Sequence, residues 1–200
     1  MTELKIRKAQ LEDAKEILEI YKYYVENTAI SFECIVPSLE EFTSRIKNTL
    51  KKYPYIVAEN KEGEIVGYAY TGTFKNREAY DWSVETTIYI KATMKRQGYG
   101  RRLYEALENI SKAQHILNMY GCIGYPEVED EFLTFDSQKF HEHLGYKTIG
   151  LFSHCGYKFN RWYHMIWMEK IIGEHNPSPE PIIPFSEFSD EKLLELGLSK

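Results

Sequence analysis

The stretch KATMKRQGYGRR, residues 91–102, carries five basic side chains, no acidic one, and glycines at positions 98 and 100. It follows the β-rich run Trp82–Ile90 and precedes Leu103–Ile110, whose apolar residues share one helical face. Glycines let a backbone approach a ligand closely, and the first turn of a helix offers unpaired N–H groups and a positive dipole end. The stretch therefore predicts a strand-to-helix junction that binds a pyrophosphate.

Two familiar phosphate-binding motifs do not fit this junction. The dinucleotide-binding pattern needs a third glycine, and the Walker loop needs Gly-Lys followed by Ser or Thr. A solvated basic turn at the start of a helix is the alternative interpretation. Residues 1–173 as a whole contain 24 acidic and 23 basic residues, a net charge of -1. Five positive charges concentrated on that nearly neutral background favour phosphate binding.

Periodicity outside the glycine turn predicts a mixed α/β fold, because runs of period 2 and period 3.6 are interleaved along the chain. A capping-box spacing at Ser38 marks the start of the second helix. The predicted order is β-α-α-β-β-β-α-β-α-β-β, formed by strand Leu4–Arg7, helix Glu12–Glu26, a helix from Ser38 to about Lys52, strands Tyr55–Glu59, Glu64–Phe74 and Trp82–Ile90, the helix after the glycine turn, strand Tyr120–Gly124, a short helix around Ser137–Leu144, and strands Tyr146–Lys158 and Arg161–Ile171.

The last part of the chain differs in composition from the rest. Residues 174–200 contain six acidic and two basic residues, and four of the seven prolines lie within Pro177–Pro184. Such a composition favours an extended segment. We therefore predict one domain at residues 1–173, followed by a proline-rich acidic tail at 174–200 that contributes little to the core.

Composition also excludes several classes of protein. The net charge of -5 lacks the basic balance of a nucleic-acid-binding protein. No apolar run is long enough to span a bilayer, and the N-terminal stretch lacks the apolar region of a signal peptide. The three cysteines are scattered, and the six histidines are dispersed. We expect a cytoplasmic protein without a metal and without nucleic-acid or membrane partners.

Several segments resemble a known family. Lys95–Gly100, KRQGYG, resembles the [QR]-x-x-G-x-[GA] acetyl-CoA motif of the GNAT acetyltransferases, with Lys95 where the family has Gln or Arg. Residues 3–171 are similar to the phosphinothricin acetyltransferase branch of that superfamily. The matching segments are Ile20-Tyr21, Thr28–Glu33, Arg77–Ile90, Phe140–Tyr146 and Gly156–Trp162.

The resemblance implies a GNAT fold, which is a mixed, mostly antiparallel central sheet flanked by helices. It also implies transfer of an acetyl group from acetyl-CoA to the primary amine of a small molecule, an amino acid or an analogue such as phosphinothricin or methionine sulfoximine. The branch is usually homodimeric, so we expect a homodimer. The implied contacts with acetyl-CoA are Ile88, Tyr89 and Ile90 for the pantetheine arm, and Arg96, Gln97, Gly98, Tyr99, Gly100 and Arg101 for the phosphates.

The same resemblance implies the reacting groups. Glu85 is implied as the base that deprotonates the amine, and its apolar neighbours on the strand are expected to raise its pKa toward neutrality. His141 is implied as the acid that protonates the departing thiolate. An acceptor site is implied at Phe32, Arg77 and Tyr80, with Arg77 binding a carboxylate or phosphinate.

Three alternatives remain open on sequence. The acidic loop at residues 127–136 either attracts a cationic amine or is only a solvated loop. The acceptor is either a small molecule or the N-terminus of a protein. The third alternative is a regulator that binds the cofactor without turnover, against which the presence of both Glu85 and His141 argues.

Overall fold

The computed structural model describes residues 4–199. The predicted order of elements is confirmed, and the tail forms a last short helix within Ser189–Leu198, where the sequence SDEKLLELGL allows one. The strands are β1 (Lys5–Lys8), β2 (Tyr55–Glu59), β3 (Ile65–Thr73), β4 (Ser83–Ile90), β5 (Asn118–Tyr125), β6 (Lys147–Lys158) and β7 (Arg161–Ile171). The α-helices are α1 (Ala14–Asn27), α2 (Leu39–Thr49), α3 (Tyr99–Ala113), α4 (Asp136–His143) and α5 (Asp190–Glu195).

The strands form one 7-stranded sheet in the order β1-β2-β3-β4-β5-β7-β6. Its neighbouring strands are antiparallel except for β4 and β5, which run parallel. The predicted mixed, mostly antiparallel sheet flanked by helices is therefore confirmed. A parallel pair needs a crossover, and α3 provides it between β4 and β5.

The parallel pair is short. Its register runs only from Ser83 opposite Asn118 to Thr86 opposite Gly121, although both strands continue for four more residues. Beyond Thr86, β4 keeps its partner β3, and beyond Gly121, β5 keeps its partner β7. The middle of the sheet therefore opens into a cleft between two continuing strands.

Helices cover both faces of the sheet because side chains alternate along each strand. On β2, Ile56 points into the cluster that contains α3, whereas Val57 points into the cluster that contains α1 and α2. The apolar face of α3 is fully buried at Leu107, and truncation of such a leucine to alanine typically costs about 2–5 kcal/mol of stability. Within residues 4–199, none of the helices has the length and apolar character needed to cross a membrane.

The expectation that the tail contributes little to the core is wrong. Phe185 has 0% of its surface exposed, and Leu193 and Leu198 join it in the cluster formed by α3 and the sheet. The tail backbone is also bonded to the body, since Ile183 N–H donates to the carbonyl of Gln114 at 3.1 Å. Proline-rich composition correctly indicated an extended path, but it did not reveal the few apolar side chains that dock along that path.

Candidate active site

A cavity of about 780 Å³ lies where β4 and β5 separate. It is lined by side chains of α1, α2, α3, α4 and the strands on either side of the opening. Among the residues predicted from the sequence, the lining includes Phe32, Glu85, Ile88, Tyr89 and His141. It does not include Arg77, Tyr80, Ile90 or the glycine-turn residues Arg96, Gln97, Gly98, Tyr99, Gly100 and Arg101.

Glu85 lies on the part of β4 that is still paired on both sides. It is opposite Gly72 of β3 and Tyr120 of β5. Burial raises the pKa of the Glu85 carboxyl, and the positive charge of Lys75 opposes this shift. A partly buried carboxylate fixed on a strand can accept a proton without first moving.

His141 of α4 also lines the cavity and is 4% exposed. Its Nδ1 lies 2.7 Å from the carbonyl oxygen of Ser137, and its Nε2 lies 2.7 Å from the hydroxyl of Tyr104. Burial lowers the pKa of His141 to about 4. Because of this low pKa the ring is neutral near pH 7 and carries a single N–H. The Ser137 carbonyl can only accept a hydrogen bond, so that N–H is on Nδ1 and donates to Ser137.

Tyr104 and Thr86 are polar lining residues that the motifs did not indicate. The Tyr104 hydroxyl lies 3.1 Å from Thr86 Oγ1, and Thr86 donates to the carbonyl of Tyr120 at 3.0 Å. One sequence signal was available for Tyr104, which lies on the apolar face of α3 beside Leu103. A buried tyrosine hydroxyl usually finds a hydrogen-bond partner. A tyrosine on this apolar helix face is therefore a signal for a polar contact inside the core, and the motif-based prediction did not use it.

The glycine turn has the predicted geometry at the start of α3. Gly98 has φ of 82°, a left-handed conformation that favours glycine, and it immediately precedes the helix. A Cβ on Gly100 would lie 3.1 Å from the Phe140 ring, so this position allows α3 and α4 to approach closely. The first turn of α3 has no acidic side chain, which leaves its N–H groups and dipole available to an anion.

The basic side chains of this turn are partly paired. Arg101 bonds Glu105 at 2.8 Å, and Arg96 lies 3.7 Å from Asp136. These pairs are exposed to solvent, and such pairs are typically worth at most about 1 kcal/mol. Their guanidinium groups can therefore exchange these partners for phosphate oxygens.

Residues 30–33 of the segment between α1 and α2 line another part of the cavity. Phe32 packs against Gly156 of β6, at a distance that leaves no space for a Cβ on that glycine. The arginine that lines the cavity is Arg45 of α2, and its guanidinium forms an ion pair with Glu33 at 2.7 Å. Sequence reasoning missed Arg45 because α2 carries no part of the family motifs that indicated Arg77.

Arg77 and Tyr80 lie on the segment between β3 and β4, outside the lining. Tyr80 packs edge-on against Phe74 with ring centroids 5.8 Å apart. Phe74 in turn stacks on Tyr120, the β5 neighbour of Glu85, with centroids 4.3 Å apart. Two aromatic contacts thus connect Tyr80 to the strand position beside Glu85.

The acidic loop at residues 127–136 is held largely by its own carboxylates. Asp130 accepts the N–H groups of Phe132 and Leu133 at 2.8 Å each, and Arg161 bonds Asp130 at 2.8 Å. The cavity lining contains none of the acidic side chains of this loop. These contacts favour a structural role over the attraction of an amine.

One group of possible metal ligands occurs within residues 4–199, although dispersed histidines predicted none. Glu127, His154 and His164 bring ligand atoms within 4.8 Å of one another. The backbone N–H of His154 donates to Nδ1 of His164 at 2.8 Å, which places the proton of that ring on Nε2. Coordination through Nε2 would require the loss of this hydrogen bond, so the geometry does not favour a metal centre.

Comparison with known proteins agrees with this architecture. Residues 6–167 match the family described as Acetyltransferase (GNAT) domain. The chain is 30% identical over 184 residues to a phosphinothricin N-acetyltransferase of Streptomyces viridochromogenes. The aligned region covers 92% of this chain and 96% of the relative. It is 30% identical over 175 residues to an L-methionine sulfoximine/L-methionine sulfone acetyltransferase of Pseudomonas aeruginosa, covering 87% and 98% of the two chains.

A solved structure gives the same result. The phosphinothricin acetyltransferase of Sinorhizobium meliloti in complex with AcCoA superposes with a TM-score of 0.83 at 31% identity, covering 93% of this chain and 98% of that chain. The resemblance predicted from the sequence is thereby confirmed. This protein belongs to the GNAT acetyltransferase family.

Proposed function

We propose that this protein transfers the acetyl group of acetyl-CoA to the primary amine of an amino acid or amino-acid analogue, such as phosphinothricin or methionine sulfoximine. The observation that carries the proposal is that Glu85 of β4 and His141 of α4 line one cavity, where the sheet splits. The acceptor class follows the relatives named above.

The donor fits the open half of β4. Beyond Thr86 this strand has lost its β5 neighbour, so backbone groups of Thr87–Ile90 face the cleft and can pair with the pantetheine arm as an added strand. We assign this contact to Ile88, Tyr89 and Ile90; the Tyr24 hydroxyl already occupies the Ile90 carbonyl. Arg96–Arg101 are assigned to the phosphates because the glycine turn and the start of α3 present N–H groups and positive charge.

The chemistry follows from these positions. Glu85 accepts a proton from the acceptor amine, which then attacks the thioester carbonyl. A backbone N–H of the open part of β4 stabilises the oxyanion of the tetrahedral intermediate. The departing sulfur is protonated on the His141 side of the cavity. None of these steps requires a metal.

The acceptor is bounded by residues from several elements. Phe32 forms one wall directly, and Arg77 and Tyr80 are assigned to the outer part of the site, where Arg77 would meet an acidic group of the acceptor. Arg45 is a second cation for such a group, but Glu33 and Glu41 already pair with it. The net negative charge of this triad favours an ammonium group, which the attacking end of an amino acid carries.

Assembly and location are further proposals. The edge strand β6 and its neighbour β7 expose large apolar side chains at this edge of the sheet, among them Leu151, Phe152, Tyr157 and Trp162. Exposed apolar patches of this kind usually mark a contact surface. We propose a C₂ homodimer through this surface, acting in the cytoplasm without nucleic-acid or membrane partners.

The proposed function is tested by measuring free-thiol release from acetyl-CoA with a panel of amines. The panel contains phosphinothricin, methionine sulfoximine, the same compounds with a blocked amine, and a short peptide with a free N-terminus. We expect turnover with the free amino-acid analogues only. Turnover with the peptide alone would replace the small-molecule acceptor by a protein N-terminus, and binding of acetyl-CoA without turnover would favour a regulator.

A further inference from the structure

The hydroxyl of Tyr104 lies at the centre of a buried polar cluster on the cavity wall. It is 2.7 Å from Nε2 of His141 and 3.1 Å from Oγ1 of Thr86. All three residues line the cavity. Tyr104 belongs to α3, whereas Thr86 belongs to β4 and His141 to α4, so the contact joins three separate elements at the cleft.

Counting the protons of this cluster shows which of them can reach the cavity. The His141 Nδ1–H is bonded to the carbonyl of Ser137 at 2.7 Å, so Nε2 of the neutral ring has only a lone pair. The Thr86 hydroxyl donates to the carbonyl of Tyr120 at 3.0 Å. The remaining proton is that of the Tyr104 hydroxyl, which has two acceptors in reach, Nε2 of His141 at 2.7 Å and Oγ1 of Thr86 at 3.1 Å, and the shorter distance favours Nε2. It is therefore the proton that can turn from the imidazole to a group in the cavity.

We propose that Tyr104 is a further catalytic residue, which gives its proton to the departing sulfur of coenzyme A, and that His141 is a positioning residue that orients the Tyr104 hydroxyl. The inference rests on the proposed acetyl transfer. When the C–S bond of the tetrahedral intermediate breaks, its electron pair goes to sulfur. The Tyr104 O–H bond breaks and an S–H bond forms. The phenolate then regains a proton from water, and the proton taken by Glu85 leaves to water.

The electrostatics of the cavity support this direction of transfer. Burial raises the pKa of the Cys122 thiol, which also lines the cavity, to about 12. A coenzyme A thiolate formed in the same surroundings is likewise a strong base. Burial also raises the pKa of Tyr104, so its hydroxyl stays protonated until a strong base forms beside it. His141, with its pKa lowered to about 4 by burial, is mainly neutral at pH 7 and so a poor source of this proton.

A neighbouring tyrosine provides a matched control. The Tyr146 ring packs edge-on against Tyr104 and His141, with centroids 5.9 Å and 5.2 Å away. Its hydroxyl is buried and makes no hydrogen bond within residues 4–199, and its side chain is not part of the cavity lining. Tyr146→Phe therefore removes a phenol hydroxyl from the same ring cluster without removing a group that faces the substrate.

The test compares two acyl donors: acetyl-CoA and the acetyl ester of 4-nitrothiophenol, whose thiolate leaves without protonation. Tyr104→Phe should lower kcat with acetyl-CoA by about 10²-fold or more, with little change in KM and nearly parental turnover of the aryl ester. Tyr146→Phe should match the parent with both donors. A purely structural defect in Tyr104→Phe would slow both donors equally, and that result would overturn the proposal, as would a parental kcat with acetyl-CoA.

A second variant keeps the proposal testable if Tyr104→Phe does not fold. His141→Gln retains an oxygen that can accept the Tyr104 hydroxyl, so it should keep more than about a tenth of the parental kcat. A loss of about 10²-fold that the aryl ester rescues would instead make His141 the proton donor and overturn the proposal. If the parent enzyme released no thiol from acetyl-CoA with any amine, the proposed function itself would fail, which is a separate result.

Discussion

Glu85 of β4 is paired with Tyr120 of β5, one pair before the parallel ladder ends at Thr86 and Gly121. The carboxylate is therefore held at the closed end of the split in the sheet, next to the groups that open into the cleft. A base in this position is fixed by hydrogen bonding on both sides of its strand, because Gly72 of β3 pairs with Glu85 on the other side.

Replacement of Glu85 by glutamine should slow acetyl transfer without weakening the donor complex. Glu85→Gln keeps the shape of the side chain and removes the base, so kcat should fall by about 10²–10⁴-fold. The Kd of acetyl-CoA should not change, because the proposed donor contacts are made by the β4 backbone and the glycine turn. Steady-state kinetics and calorimetry measure the two effects. Glu62→Gln, an exposed glutamate in the β2–β3 turn, is the control.

The pH dependence gives a second readout on the same variant. Burial raises the pKa of Glu85, and only the ionised carboxylate accepts a proton, so parental activity should rise as the pH increases through that raised pKa. Glu85→Gln should lose this step and be partly rescued at high pH, since more of the amine is then neutral. Parental turnover by Glu85→Gln at neutral pH would assign the base to another group, with Glu33 the next to test.

Substitution in the glycine turn should weaken donor binding. Gly98 has φ of 82°, which a β-branched residue adopts only with strain, so Gly98→Val should displace the N–H groups at the start of α3. We expect calorimetry to show a clearly weaker complex with acetyl-CoA. Gly63→Val is the matched control, since Gly63 has φ of 79° in a hairpin turn far along the chain and neither glycine has an atom within 4 Å of an added Cβ. Equal acetyl-CoA affinity in the folded Gly98 variant would remove the phosphate site from this turn.

The family motifs predicted Glu85 on β4 and His141 on α4, because each belongs to a segment with a strong local pattern. They missed cavity-lining residues that lie outside those patterns. Arg45 and Tyr104 come from helices whose patterns encode only burial, and their side chains meet the cavity through packing between distant segments. The same limit explains Phe185, whose buried position depends on a surface formed by α3 and the sheet rather than on the sequence around it.

Removal of the tail contact should destabilise the protein. Phe185 has 0% of its surface exposed and lies in the main core cluster, so Phe185→Ala should cost about 3–5 kcal/mol. Truncation after Gly173 should lower the melting temperature as well, because it also removes the contacts of Leu193 and Leu198. Glu187→Gln, an exposed change in the same segment, should leave the melting temperature unchanged. A truncated protein as stable as the full chain would show that the tail only rests on the body.

A charge placed on the β6–β7 surface should disrupt the proposed dimer. Trp162 is 60% exposed on this surface, and Trp162→Glu would place a carboxylate in the apolar contact, which is strongly unfavourable without a partner. Light scattering at micromolar concentration should report a dimer for the parent and a monomer for the variant. Ile35→Glu, an exposed change in the segment between α1 and α2, should remain dimeric. A monomeric parent would refute the assembly.

The protonation of His141 should make stability depend on pH in a defined window. Burial lowers the pKa of His141 in the folded protein from 6.5 to about 4. Above pH 6.5 both the folded and the unfolded chain hold it neutral. Between pH 6.5 and 4 the unfolded chain takes up the proton first, so stability is lost as the pH falls through this window, by up to about 3 kcal/mol from this group.

Urea unfolding of the parent and of His141→Gln at pH 7.5 and pH 4.5 isolates that contribution, because other titrating groups are common to both proteins. The free energy of unfolding of the parent should fall by about 2.5 kcal/mol more than that of the variant. His143→Gln is the matched control, since His143 is exposed two residues further along α4 and should follow the parental dependence. Equal pH dependence in the parent and His141→Gln would mean that the pKa of His141 is the same in the folded and the unfolded chain. A substantial fraction of the imidazole would then be protonated near neutral pH and could itself donate to the departing sulfur, so the assignment of the transferred proton to Tyr104 would lose its support.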